Sequence, residues 1–365
     1  MADPTPSPLA DAYISRGAIL GEFHGALVPL RFSGAVAEHQ AARQSACVFD
    51  FSFRAQFAVK GDDRARFLHR IVSQDIKSLS PGQGAYATLL NAQGHILADC
   101  RVYCTPDNFL IDTDADLRDK TMQALARYII GDRVQLEVVQ MFALAIQGPK
   151  SHAFLEEALH ADLPQLQEYG HAIATFSGKP VRVVRASSTG EEGYELWIET
   201  KDSAGTWEAI VAHASINRVL PCGTEALESL RIEAGIPRYG PDMGEDTLPL
   251  EAGLLNALSF NKGCYVGQEI VERARSRGHV NWKLSGLFIE AAAIPAAGDK
   301  LFSAGKEIGE VTSACASPTL ERIIALAYLR REVAEPGAKL ALASGANAEV
   351  TSLPFYERPA AGASG

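Results

Sequence analysis

Apolar periodicity along this chain switches between the helical repeat of about 3.6 and the strand repeat of 2 without settling into strand–helix–strand units. Asp62 to Ile76 reads as a helix with Phe67, Ile71 and Val72 on one face. Asp114 to Ile130 reads as a second helix stopped by Gly131, and Lys150 to His160, Trp207 to Val219 and Glu225 to Ala234 as three more. Between them the pattern predicts strands at Tyr86–Leu90 and Ile96–Cys104, joined by the turn Asn91-Ala92-Gln93-Gly94, and at Phe142–Ile146. Val181–Arg185 and Tyr194–Ile198 read as a hairpin around the loop from Ser188 to Gly193. With no internal repeat, the fold class this implies is α+β. Beyond about residue 284 the helical pattern stops. The small-residue linker Ala291-Ala-Ala-Ile-Pro-Ala-Ala-Gly298 leads to short strands at Lys300–Phe302, Glu307–Ser313, Ile323–Leu329 and Lys339–Leu342, the signature of a small barrel or sandwich. The expected organisation is a body over residues 1–283, a C-terminal β-barrel module over 284–355, and a disordered tail over 356–365.

Composition removes several function classes. Among 365 residues, 44 are acidic and 34 basic, a formal net charge of −10. A general nucleic-acid binder needs a basic face to replace phosphate counterions, so no nucleic-acid partner is expected. No apolar run approaches the roughly 18 residues of a membrane span. The N-terminus, Met1-Ala-Asp-Pro-Thr-Pro-Ser-Pro, has Asp and Pro where a signal peptide needs cations and then an apolar stretch; it reads as a frayed leader of a soluble, cytoplasmic protein. The six cysteines form no C-x-x-C pair and no compact framework, so they read mostly as buried small apolar groups in a reducing compartment. No histidine pairs with a cysteine or histidine at ligand spacing, and no metal site is expected. Walker, Rossmann and G-x-S-x-G patterns are all absent.

Three clusters carry chemistry. Lys262-Gly-Cys-Tyr-Val-Gly-Gln-Glu269 presents Cys264 on a glycine-bounded bend, with Arg273, Arg275 and Arg277 shortly after. Cations beside a thiol favour its thiolate, although a charge run is also an ordinary solvated face. If the segment were a strand, its Arg-x-Arg-x-Arg spacing would put three cations on one side. Arg231-Ile-Glu-Ala-Gly-Ile-Pro-Arg-Tyr-Gly240 ends a helix and aims Arg231 and Glu233 toward a cleft, or else merely complements the helix dipole. Thr189-Gly-Glu-Glu-Gly-Tyr-Glu195 places Glu195 on an apolar strand, either paired or facing solvent.

These clusters occur in order with Gly21-Glu-Phe-His-Gly25, Glu38-His39, Val48-Phe-Asp50, Leu90-Asn-Ala-Gln-Gly94, Thr247-Leu-Pro-Leu-Glu-Ala-Gly253, Gly309-Glu-Val-Thr-Ser313 and Ser317-Pro318. Together they resemble the glycine cleavage T protein superfamily over nearly the whole chain. The resemblance implies a three-domain arrangement around a central folate pocket, in which the body holds two interleaved subdomains, the second roughly over residues 50–140. It implies tetrahydrofolate or a related reduced folate as cofactor, with Glu195, Arg231, Tyr194 and Lys262 as its contacts. The octapeptide around Cys264 resembles the motif of the YgfZ branch, folate-binding proteins that support iron–sulfur enzymes. That implies a functional thiol at Cys264, with iron–sulfur proteins or their assembly factors as partners.

One departure bears on mechanism. The T protein carries Asp-Asp after its glycine turn, the first Asp being the working acid; the pair here is Ala98-Asp99. One-carbon transfer needs a proton moved at the folate nitrogen and a developing cation stabilised, which a methyl group cannot do. Asp99, the remaining acid and with Cys264 a candidate catalytic residue, lies on the opposite strand face from position 98 and cannot simply substitute for it. The leading expectation is therefore a folate-binding accessory protein for iron–sulfur assembly or repair; the alternative is a tetrahydrofolate-dependent aminomethyltransferase.

Overall fold

The computed structural model describes residues 3–217, 219–276 and 280–358. The N-terminal segment contributes a three-stranded sheet of Thr5–Pro6, Ala26–Arg31 and Ile19–Phe23. A six-stranded sheet follows, ordered His171–Phe176, Lys179–Arg185, Gly193–Glu199, Met141–Gln147, Cys47–Asp50 and Leu220–Cys222. The chain leaves it after Asp50, builds a separate five-stranded sheet, and rejoins it at Met141. That second sheet runs Gly84–Leu90, Ile96–Cys104, Phe109–Asp114, Arg54–Lys60 and Gln135–Val138. Each sheet has its own core: Phe154, Leu155, Leu196 and Trp207 pack on the first, and Phe67, Leu68, Ile71 and Val102 on the second. Six strands between Trp282 and Thr351 close into a barrel.

Several sequence expectations are corrected. The helix expected over Asp62–Ile76 spans Arg64–Ile71, and that expected over Asp114–Ile130 is a 3₁₀ turn at Ala115–Leu117 followed by Arg118–Ala126. Past the end of the first, the Lys262 ammonium donates to the carbonyls of His69, Val72 (2.6 Å) and Gln74 (2.9 Å), satisfying acceptors that the helix does not pair. Gln268–Ser276 is a helix, not a strand, so Arg273 and Arg275 point to different sides; Arg277 lies outside the described residues. The barrel also gains a strand at Trp282–Glu290, across the expected boundary. Of the tail expected from 356, residues 359–365 lie outside the described residues, whereas Tyr356 donates its N–H to the Glu233 carbonyl at 3.1 Å and stacks under Arg43 at 4.1 Å. Nor are all cysteines free thiols. Cys47 and Cys222, on adjacent parallel strands, form a disulfide.

The barrel is held to the body by buried charge. The helix Thr224–Glu233 was expected to aim Arg231 and Glu233 toward a cleft; both engage the barrel, and Arg231 also borders a cavity. Arg231 spends all five N–H donors on Glu228, Asp242 (2.5 Å), the Ile236 carbonyl (3.2 Å) and Ser313 Oγ (2.8 Å). Asp242 in turn accepts from Thr312 (2.6 Å) and Ser313 (2.7 Å) of the barrel. Glu233 meets His39 Nε2 at 3.2 Å, Arg43 at 2.7 Å and the Ser317 hydroxyl. Burial alone would push the Glu233 carboxyl up, but hydrogen bonds from His39, Ser317 and Arg43 bring it down to about 2 from 4.5. A carboxylate with a lowered folded value contributes stability that is complete above its unfolded value and lost as pH falls through the folded one. We therefore expect the denaturation midpoint to drop as pH is lowered from 4.5 toward 2, and Glu233→Gln to flatten that limb; an unchanged limb in the variant refutes the assignment.

Candidate functional site

A cavity of about 1220 Å³ opens where the body's sheets, the barrel's first strand and the C-terminal segment converge. Its position follows from strand parity. Along Ile96–Cys104, Cys100 and Val102 pack into the core of the five-stranded sheet, and Ala98, facing Leu89 across the ladder and 1% exposed, points the same way. Asp99 and Arg101 alternate to the other face and line the cavity. The inference drawn from Ala98 is thus corrected: an acid at 98 would point into the apolar core, while the acid that faces the cavity, Asp99, is present.

Asp99 sits among polar and aromatic groups. Tyr86, diagonal to it on the neighbouring strand, donates its hydroxyl to Asp99 at 2.9 Å. The Tyr86 ring lies over Tyr169, centroids 6.2 Å apart and planes 24° from parallel. Burial, and then the charge of Asp114, raises the Asp99 carboxyl above the usual carboxylate range, against the pull of Arg54, Tyr86 and Arg101. Such a carboxyl is a better proton acceptor than a solvated one. Phe23, Phe51 and Phe53 form an apolar wall elsewhere in the cavity, with ring centroids 4.7–4.8 Å apart.

The residues expected to hold folate are distributed differently. Glu195 is fully buried behind the cavity wall, neither solvent-facing nor lining; it accepts from Arg101 and from Trp197 Nε1 at 2.8 Å. Tyr194 packs into the core of the six-stranded sheet, its hydroxyl 2.9 Å from His152 Nδ1. Lys262 holds backbone carbonyls away from the cavity, and Arg231 lines it with every donor already engaged. Cys264 is exposed and outside the cavity. The cations expected around it have other work: Arg273 pairs with Glu269 at 2.5 Å and Arg275 covers Phe260 at 4.1 Å.

Sequence reading missed Tyr86, Tyr169, Arg101 and Arg238, all on the cavity wall. Arg238 lay inside the motif from Arg231 to Gly240 without being singled out. The tyrosines carried no local signal, because their relation to Asp99 depends on pairings between distant strands. The fold also gathers a trio that histidine spacing did not show: His24 Nδ1 lies 3.2 Å from Asp116 and 3.5 Å from Asp114. Arg54 already holds Asp114 at 2.6 Å, so the trio belongs to an ion-pair network with a cation in place.

The arrangement fits a flat, polar-edged ligand. The cavity is roomy, it offers stacked aromatic rings, and two nitrogens of Arg238, a wall residue, are buried without a partner. Among the described residues no helix is long and apolar enough to cross a membrane.

Comparison with known proteins gives a consistent result. Residues 9–262 match the family model of the GCVT N-terminal domain, and residues 283–357 that of the glycine cleavage T-protein C-terminal barrel domain. An aminomethyltransferase of Geobacillus sp. (strain WCH70) is 32% identical over 359 residues, covering 96% of this chain and 98% of that protein. One from Streptomyces avermitilis is 34% identical over 365 residues, covering 97% and 98%. The crystal structure of glycine cleavage system aminomethyltransferase T from Bartonella henselae superposes with a TM-score of 0.89 at 27% identity, covering 97% of this chain and 98% of that one.

Proposed function

The chain belongs to the glycine cleavage T-protein family, and from that premise we propose that it binds a reduced folate in the large cavity and transfers a one-carbon unit to it, as an aminomethyltransferase. The observation that carries this reading is the orientation of Asp99: a half-buried carboxylate of raised proton affinity facing a cavity of suitable size. Bound tetrahydrofolate would supply the two nitrogens that take the carbon as a methylene bridge, while the amino group leaves as ammonia and the carrier's sulfur as the free thiol. Asp99 would take the proton that such a nitrogen gives up, and Tyr86, through its 2.9 Å hydrogen bond, would keep the carboxylate aimed. Tyr86 and Tyr169 would flank the ring system, while Phe23 and Phe53 exclude water from the apolar wall. In this reading Glu195 positions Arg101, Tyr194 supports the strand behind it, Arg231 anchors the barrel, and Lys262 fixes the loop that bears Cys264.

The test is a reconstituted assay with an aminomethyl-loaded lipoyl carrier protein and tetrahydrofolate, with methylene-tetrahydrofolate as readout. Turnover supports the proposal; folate binding by calorimetry without turnover leaves only a folate-binding role.

The iron–sulfur accessory role is the second reading, favoured by one feature. Among the described residues Cys264 is the exposed free thiol, whereas Cys100 and Cys104 are buried, Cys47 and Cys222 are bridged, and burial pushes the half-buried Cys315 up to about 12. Iodoacetamide near pH 7.5 is expected to modify Cys264 at least about tenfold faster than any other cysteine, since reaction follows thiolate fraction and access. Mass spectrometry that finds another site first refutes this. Cys264→Ala separates the two readings. If the thiol serves iron–sulfur enzymes, the variant loses cellular support of those enzymes while keeping folate binding.

A further inference from the structure

The cavity wall carries an arginine whose donors are not used up. Arg238 follows the helix Thr224–Glu233, and its guanidinium carbon stands 4.6 Å from the centre of the Phe23 ring. Nη2 reaches Glu228 at 3.2 Å, but that carboxylate already accepts three bonds from Arg231. Nε and Nη1 are buried with no hydrogen-bond partner. Three other cavity arginines contrast with it: Arg54 is held by Asp112 and Asp114, Arg101 by Glu195, and Arg231 has all five donors engaged. Buried donors on a charged group are rarely left open unless something outside the chain completes them.

We infer that Arg238 is the receptor for a carboxylate of the bound ligand, which, on the folate reading above, is a carboxylate of the glutamyl end. Phe23 beneath the guanidinium keeps it flat and restricts its rotamers. Glu228, shared with Arg231, anchors one edge without neutralising the other. Burial, with Arg231 nearby, weakens the hold on the proton against the favourable charges of Glu228, Asp242 and Asp114, and an incoming carboxylate adds to the favourable side. The site thus distinguishes a folate from a bare pterin.

The experiment is a calorimetric titration of the full chain and of Arg238→Met and Arg238→Lys with 5-formyltetrahydrofolate and with 6-methyltetrahydropterin, which lacks the carboxylates. The expected result is a loss of about 10–100-fold in folate affinity for Arg238→Met, with pterin affinity unchanged and partial recovery in Arg238→Lys. Salt should weaken folate binding more steeply in the unmodified protein than in Arg238→Met. Equal losses for both ligands, or no loss for folate, overturn the assignment while leaving folate binding intact. Failure of the unmodified protein to bind either ligand overturns the folate reading, and the assignment with it.

Discussion

Replacing Asp99 by Asn is expected to lower one-carbon transfer by about 10²–10⁴-fold, the contribution of a positioned general base, while leaving folate affinity nearly unchanged. The amide keeps the shape and still accepts the Tyr86 hydroxyl, but it cannot take a proton. The pH profile gives a second handle. Burial and Asp114 raise the Asp99 carboxyl above its ordinary 3.8, and the active species is the carboxylate. Activity should therefore decline as pH falls through that raised value, at a higher pH than a solvated aspartate would give. Tyr86→Phe removes a hydrogen bond that favours the charged form, so it should move the acid limb to still higher pH. An Asp99→Asn protein with full turnover in the reconstituted assay would remove Asp99 from the chemistry.

Arg231→Met is expected to have the largest effect on stability, a loss of about 3–5 kcal/mol, the usual consequence of removing one partner from a buried ion pair. Arg231 and Asp242 are 4% and 1% exposed. Without the guanidinium, Asp242 keeps its charge facing the Thr312 and Ser313 hydroxyls and the Arg238 backbone N–H. Both hydroxyls belong to the barrel, so the damage should appear as faster hydrogen exchange in the barrel strand Lys306–Ser317 and faster proteolysis at the Ala291–Gly298 loop, which joins the barrel strands Trp282–Glu290 and Lys300–Ser303. Pairing the change with Asp242→Asn removes the stranded charge and should recover part of the loss. A decrease below about 1 kcal/mol, within the range of an exposed pair, would show that the cluster does not hold the barrel.

Much of this architecture is legible in the sequence because local signals agree with it. The hairpin over Lys179–Glu199 follows its turn residues, and most barrel strands follow their alternation. What fails does so where tertiary contacts override local preference. Trp282–Glu290 was obscured by Gly286 at its centre; a side chain there would meet Leu353 and Phe355 at 2.9 Å, so the strand gives up a side chain to admit the C-terminal segment. That Asp99 borders a cavity was not readable: alternation along Ile96–Cys104 sets Asp99 and Arg101 on the face opposite Ala98 and Cys100, but what lies over each face depends on segments distant in sequence. The folate contacts expected at Glu195 and Arg231 rested on motif membership. A motif marks which residues occur together but not whether a carboxylate faces a ligand or the next arginine.

The excursion of the chain between Asp50 and Met141 has a consequence for synthesis on the ribosome. Cys47–Asp50 emerges early, yet its two partners in the six-stranded sheet, Met141–Gln147 and Leu220–Cys222, follow about a hundred and more residues later. The five-stranded unit between them can pair and bury its core from contiguous sequence. The surrounding sheet, by contrast, must hold an open edge until its last strand appears, and the Cys47–Cys222 link spans 175 residues of chain. Nascent chains should therefore gain order from the inside outward: the inserted sheet first, then the sheet that encloses it, and the barrel last. Such an order leaves Cys47–Asp50 as the segment longest exposed to wrong partners, and the one where a holding chaperone would act.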